Sequence, residues 1–174
     1  MDRARPDPRT ARGRAAGFSL PEALLASAVL AFAVAGLTQA VVSGQAHTHH
    51  ALHEARALAL AEAMIDEVLS KPYADPDGHT VPGADAGEVG RDDFDAMDDY
   101  DGYAEAAGGL TDPAGDAYPD DYGGFTRSVA AAYTTRDVAA FGGSRAGLAV
   151  TVTVTDSDTE RPWRVSRFVA EPAS

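Results

Sequence analysis

The chain has 174 residues, which gives room for one domain of ordinary size with a single modest core. Its net charge of −13 argues against nucleic acid as a partner of the folded part, because phosphates would be repelled. The absence of cysteine excludes disulfides, thiolate metal sites and a cysteine nucleophile. The charge is unevenly spread: five arginines (Arg3, Arg5, Arg9, Arg12, Arg14) precede Gly17 against two acids, and nine basic residues follow it against twenty-five acids. A basic head on an acidic body marks a targeting segment or a membrane-oriented chain.

In chain order, residues 1–17 read as a basic leader rich in Arg, Pro and Ala. Residues 18–70 read as one long helix that begins near Pro21, since proline lacks an N–H and is tolerated in the first turn. From Ala23 to Val42 there are twenty residues without a charge, enough at ~1.5 Å per residue to cross a hydrocarbon core of ~30 Å. The arginines before this stretch and the acidic body after it predict a cytoplasmic head and a body on the far side of the membrane. A removed secretory signal is the competing reading. Against it stand the length of the apolar run and the position of the small-residue pair, which lies on the basic side of Phe18.

Residues 18–44 are thus the membrane-spanning segment and 45–174 the domain beyond it. Within that domain, 45–70 continues as an amphipathic helix with Ala51, Ala55, Leu58, Ala61, Ile65 and Val68 at three- or four-residue intervals. Lys71-Pro72 ends it, because the residue before proline avoids the helical region. Residues 72–125 are dense in Asp, Gly, Pro and Tyr and default to loop. A structureless loop of that length is unusual inside a domain. Its spaced aromatics (Tyr73, Phe94, Tyr100, Tyr103, Tyr118, Tyr122, Phe125) predict that parts of it pack back on the core.

From Thr126 the period becomes two. LAVTVTVT (148–155) alternates apolar and Thr as a half-buried strand, WRVSRFVA (163–170) is a second strand, and the intervening turn makes them a hairpin. TRSVAAAY (126–133) is a weaker third strand, since alanine favours helix. The fold class is α+β: a long N-terminal helix packed on a small antiparallel sheet, 126–170, whose apolar face the amphipathic half of the helix covers.

Glu22 sits at the head of the apolar run, where a carboxylate is an expensive guest. Basic leader, Gly17, Phe18, Ser19, Leu20, Glu22 and then the apolar helix resembles the processing segment of type IV prepilins and pseudopilins, with glutamate in the fifth place after the glycine. Pro21 departs from the aliphatic usual there. The resemblance implies a pilin-like fold and cleavage between Gly17 and Phe18 by a membrane-embedded prepilin peptidase, which then N-methylates Phe18. It implies a structural role as a minor pilin or minor type II secretion pseudopilin in the bacterial inner membrane, with the body in the periplasm. Its partners would be the peptidase, other pilin or pseudopilin subunits and membrane lipid, and no enzymatic activity would be expected.

Glu22 would then meet the new amine of a neighbouring subunit. Two unit charges ~4 Å apart attract by about 4 kcal/mol at an effective dielectric of ~20, and desolvation offsets much of this, so the pair serves register more than stability. The alternative in another functional class is a periplasmic binding or enzymatic domain that uses the helix only as a tether.

The acidic loop offers hard oxygens for calcium, with Asp95, Asp98, Asp99 and Asp101 as candidate ligands, although a solvated acidic surface is the simpler expectation. An EF-hand fails: with Gly102 as the turn glycine, Met97 takes the first ligand place and Gly108 the last, and with Gly78 Tyr73 takes the first. His49 and His53, within the cluster His47, His49, His50 and His53, stand one turn apart on a helix, a spacing that can hold a transition metal, but interfacial polar residues explain them as well. No GxSxG elbow or phosphate loop is present.

Overall fold

The computed structural model describes residues 17–76, 78–138 and 142–172; most of the expected leader lies outside them. The chain forms two compact units that meet between His47 and Thr48. Helix α1 spans Leu20–Ser70. Its start is set by Ser19, whose carbonyl accepts the N–H groups of Glu22 and Ala23 at 3.0 and 3.1 Å, so Pro21 falls in the first turn where no donor is missed.

In the first unit the helix is exposed all round, its large apolar side chains ranging from 80 % accessible at Phe32 to 53 % at Val34. It is long and apolar enough to cross a membrane. The two hydroxyls of the uncharged run Ala23–Val42 are satisfied inside the helix: Ser27 donates to the Ala23 carbonyl at 2.8 Å and Thr38 to the Val34 carbonyl at 2.9 Å. Neither needs water, which is the condition for residing in hydrocarbon.

In the second unit the last turns of α1 bury Ala57, Leu60, Ala61, Met64, Ile65 and Val68. The expected apolar face is corrected at its upper end. Ala51 and Ala55 are exposed and Leu58 is half-buried, because the covered face runs through Ala57, Leu60, Ala61, Met64 and Val68, and at about 100° per residue those three fall to its side. The helix ends at Ser70 as Pro72 predicts, and the Lys71 N–H closes on the Val68 carbonyl.

The sheet has four antiparallel strands in the order β1-β2-β3-β4: β1 Ala104–Glu105, β2 Phe125–Val138, β3 Gly143–Asp156 and β4 Pro162–Ala170. The expected hairpin is β3–β4, in a register that sets Val154 opposite Trp163 and Val152 opposite Val165. The stretch expected as a weak strand is part of β2, which pairs with β3 from Phe125↔Asp156 to Val138↔Gly143. Cross-strand pairing overrides the helical preference of its alanines. Leu148, Val150, Val152 and Val154 are fully buried, the alternation predicted for β3. Gly147 lies so close to β4 that a Cβ there would strike the Val169 carbonyl and stand 2.7 Å from Phe168 Cζ.

The long segment between α1 and β2 is mostly irregular, with two short 3-10 turns and β1. Six spaced aromatics of this segment, and Phe125 at the start of β2, belong to the apolar cluster or pack against it. Phe94, Tyr100 and Tyr103 form an edge-to-face trio with centroids 4.9–6.2 Å apart, the geometry favoured by ring quadrupoles.

Charges fix this segment as firmly as the rings do. Arg91, Arg127 and Glu105 are all buried. Arg127 donates through Nε to Glu105 Oε2 at 2.6 Å and through Nη1 to the Leu60 carbonyl of α1 at 3.3 Å. Arg91 reaches Glu67 of α1 at 2.9 Å and Glu105 at 3.3 Å, and also donates to the carbonyls of Thr111 and Asp112. Glu105 Oε1 accepts the Thr111 N–H and hydroxyl, and Tyr100 donates to Glu67 at 2.9 Å. Burial alone would lower the Arg91 pKa, yet Glu67, Tyr103 and Glu105 hold it above the ordinary arginine value, so it stays charged. Two guanidinium and two carboxylate charges balance, and one constellation joins helix, irregular segment, β1 and β2.

Glu105→Ala would take from the buried Arg127 its carboxylate partner, while Arg91 keeps Glu67, and is expected to cost about 3–5 kcal/mol, the usual penalty for breaking a buried pair. Denaturant unfolding of the full chain in detergent, followed by tryptophan fluorescence, measures it; a change below about 1 kcal/mol would show that the network contributes little.

Candidate functional site

Three groups of residues carry the chemistry anticipated above. The first is the N-terminal segment. Gly17 and Phe18 are exposed ahead of α1, and Glu22 lies in its first turn, where the partial positive charge of the helix N-terminus favours a carboxylate. A Cβ built on Gly17 meets nothing within 4 Å, so no packing within the described residues requires glycine at that position.

The second group is the set of four aspartates. They do not converge as one site. Asp98, 1 % exposed, accepts the Tyr133 hydroxyl at 2.8 Å, and burial together with this carboxylate pushes the Tyr133 phenol well above its ordinary pKa. Asp99 accepts the N–H groups of Asp95 and Ala96 at 3.0 and 2.6 Å. Asp101 accepts the Ala131 N–H at 2.8 Å. Most of the acidic run is thus occupied in holding its own backbone and β2. Asp95 and Asp99 do fall in one grouping of possible metal ligands, together with Glu88.

A different convergence escaped sequence reasoning. Asp75, His79 and Asp85 bring one donor atom each to within 4.8 Å of one another. His79 Nδ1 stands 3.4 Å from Asp75 Oδ2 and also contacts Asp85 Oδ2. The Asp85 carboxylate raises the His79 pKa, while burial and a hydrogen bond with Asp75 raise that of Asp85. Asp75 and His79 line a groove of about 650 Å³, whose walls also include Tyr73, Tyr133, Gly147 and Glu171. The i, i+4, i+10 spacing in a Gly/Pro-rich loop has no helical or strand period, so no pattern could have flagged it.

The third group is the histidine cluster. His49 and His53 are neighbours, with ring centroids 5.9 Å apart, but His53 Nδ1 is spent on Asp156 at 3.1 Å and its ring lies on Phe125 at 5.1 Å. His49, His50 and His53 share a cleft with Asp156, Arg161 and Trp163. Burial on its own would raise the Asp156 pKa. The N–H groups of Thr159 and Asp158, at 3.0 and 2.9 Å, and the His53 ring outweigh it and hold the carboxyl below its ordinary value. His53 is therefore an anchor of α1 onto the β3–β4 turn.

No protein-family model matches the chain, and neither a curated protein nor a solved structure is significantly similar to it.

A carboxyl with a depressed folded-state pKa contributes stability above its unfolded value, 3.8, and loses it as pH falls through the lower folded value. Asp156→Asn is thus expected to lower Tm at pH 7, with the gap to the parent narrowing below about pH 4. Thermal melts of both proteins across pH 3–7 check this, and a gap independent of pH would show that the charge of Asp156 is immaterial.

Proposed function

We propose that the chain is a structural subunit, a minor pilin or pseudopilin, of a type II secretion or type IV pilus-like filament. It is held in a bacterial inner membrane by the first part of α1 until assembly, with its folded unit in the periplasm. The observation that carries this reading is the conjunction of Gly17, Phe18 and Glu22 with a helix that begins at Leu20 and stays apolar and exposed over the length of a bilayer. Among the described residues, no packing explains glycine at position 17. A peptidase cleft that admits only an extended, side-chain-free residue supplies one.

Cleavage after Gly17 places a protonated, methylated amine on Phe18. In a filament, the apolar helices of neighbouring subunits pack together and exclude water. Glu22 of one subunit, unpaired in that environment, carries a desolvation penalty that the amine of the next subunit relieves. Only one axial stagger satisfies both groups, which makes the pair a register device. The alternating strands and the second half of α1 provide the folded body that such a filament displays.

Intact-mass analysis of the protein from its native membrane is expected to give a chain that begins at Phe18 and carries one additional methyl group. Material beginning at Met1, or beyond the apolar span, would leave α1 a simple tether and overturn the filament reading. Glu22→Ala is expected to insert in the membrane at normal levels and to fall at least about tenfold in filament incorporation, matching the loss of a pair worth ~1.4 kcal/mol per contact. Unchanged incorporation would remove Glu22 from the mechanism.

A further inference from the structure

Asp75, His79 and Asp85 pose an electrostatic question that the filament reading does not touch. Asp75 has a side chain only 2 % exposed, and Asp85 is also largely covered. Their Oδ2 atoms both turn to the one imidazole nitrogen, His79 Nδ1. The other oxygen of Asp75 is held in place by the Gly78 N–H at 3.1 Å. This turn needs the left-handed backbone that Gly78 adopts at φ 82°. The turn thus aims one carboxylate oxygen of Asp75 inward.

One imidazolium would carry a single positive charge against two carboxylates and leave the site negative. The same loop is tied to a buried acid. The Asp98 carbonyl accepts the Gly83 N–H from the same loop at 2.9 Å, and Asp98 Oδ1 is buried without a hydrogen-bond partner. Two groupings of possible ligands occur among the described residues, and they differ in kind. In the grouping of Glu88, Asp95 and Asp99 all three donors are carboxylates, and those of Glu88 and Asp99 accept backbone N–H groups of Asp85, Asp95 and Ala96. The grouping of Asp75, His79 and Asp85 has a nitrogen donor and two facing carboxylates, and Asp75 and His79 line an open groove.

We propose that Asp75 Oδ2, His79 Nδ1 and Asp85 Oδ2 form a binding site for a zinc-class divalent transition-metal ion. An imidazole nitrogen beside two carboxylate oxygens is a mixed N/O donor set that suits zinc, whereas calcium and magnesium prefer oxygen alone. A doubly charged cation would neutralise both carboxylates, with His79 as a neutral ligand. Three protein donors leave a fourth tetrahedral position open. Because Asp75 and His79 also line the groove beside β2 and β3, a water or an anionic group entering the groove would complete the coordination. The metal would tie the first loop after α1 into a closed clip of eleven residues, from Asp75 to Asp85.

The test is isothermal titration of the full chain, purified in detergent and stripped with chelator, with zinc chloride and separately with calcium chloride. Zinc is expected to bind with one-to-one stoichiometry and to bind more tightly than calcium. Asp85→Asn and His79→Gln, each checked for folding by circular dichroism, are expected to weaken zinc by at least about tenfold. The double variant His49→Gln/His53→Gln removes the other histidine pair and is expected to leave zinc binding intact. Long-range ¹⁵N correlation spectra of the histidines are expected to show Nδ1 of His79 as the coordinated nitrogen.

The proposal is overturned if zinc fails to bind, if calcium binds more tightly, if His79→Gln binds as well as the parent, or if binding disappears with the His49/His53 pair. None of these outcomes bears on processing at Gly17, so this site and the filament reading stand or fall separately.

Discussion

The folded unit depends on a buried ionic constellation of two arginines and two glutamates. Desolvating four charges is expensive, and the expense is tolerated because nearly every lone pair and N–H is used: Glu105 alone accepts from Arg91, Arg127 and Thr111. Its members come from distant parts of the chain, with Glu67 on α1, Arg91 and Thr111 in the irregular segment, Glu105 on β1 and Arg127 on β2. A segment with little regular secondary structure thereby acquires fixed geometry. The aromatic trio of Phe94, Tyr100 and Tyr103 beside it adds apolar area, but rings alone are tolerant of sliding. Charges with directional partners are not. The loop that follows α1 is tied separately at Gly83, whose N–H is held by the carbonyl of Asp98, while the Asp98 carboxylate accepts the Tyr133 hydroxyl.

Elements with a strong period were legible in the sequence. The apolar run Ala23–Val42, the start near Pro21, the stop at Lys71-Pro72 and the Val/Thr alternation of β3 each carry a local physical signature, and each stands where it was expected. The return of the aromatics to the core was legible too, since seven large rings in a loop have few other places to go. What the sequence did not reveal were pairings. Arg91 and Arg127 look like any surface arginine in the sequence, and only the fold brings them to Glu105.

The acidic run shows the same limit from the other side. Asp98, Asp99 and Asp101 have the residue types of a cation loop. Their oxygens are mostly drawn into hydrogen bonds with Tyr133 and with the backbone at Asp95, Ala96 and Ala131. Residue type alone could not separate an acceptor for the protein's own backbone from an acceptor for an ion. The convergence of Asp75, His79 and Asp85 was hidden for the converse reason, as its members are spread through a turn whose path follows from Gly78 and from contacts further along the chain.

Asp101 has one more effect. In the order β1-β2-β3-β4, β1 shields only two residues of β2, and beyond it the flank of β2 would be an invitation to strand invasion. Val129 is already bonded both ways to Tyr103 and Gly102, and the Asp101 carboxylate takes the next outward N–H, that of Ala131. A foreign strand seeking to extend the sheet laterally would have to evict that carboxylate and bury it unpaired. Up to Ala131, then, a side chain closes the sheet where a neighbouring backbone would otherwise add on, so crowded copies of this domain cannot fuse edge to edge along that stretch.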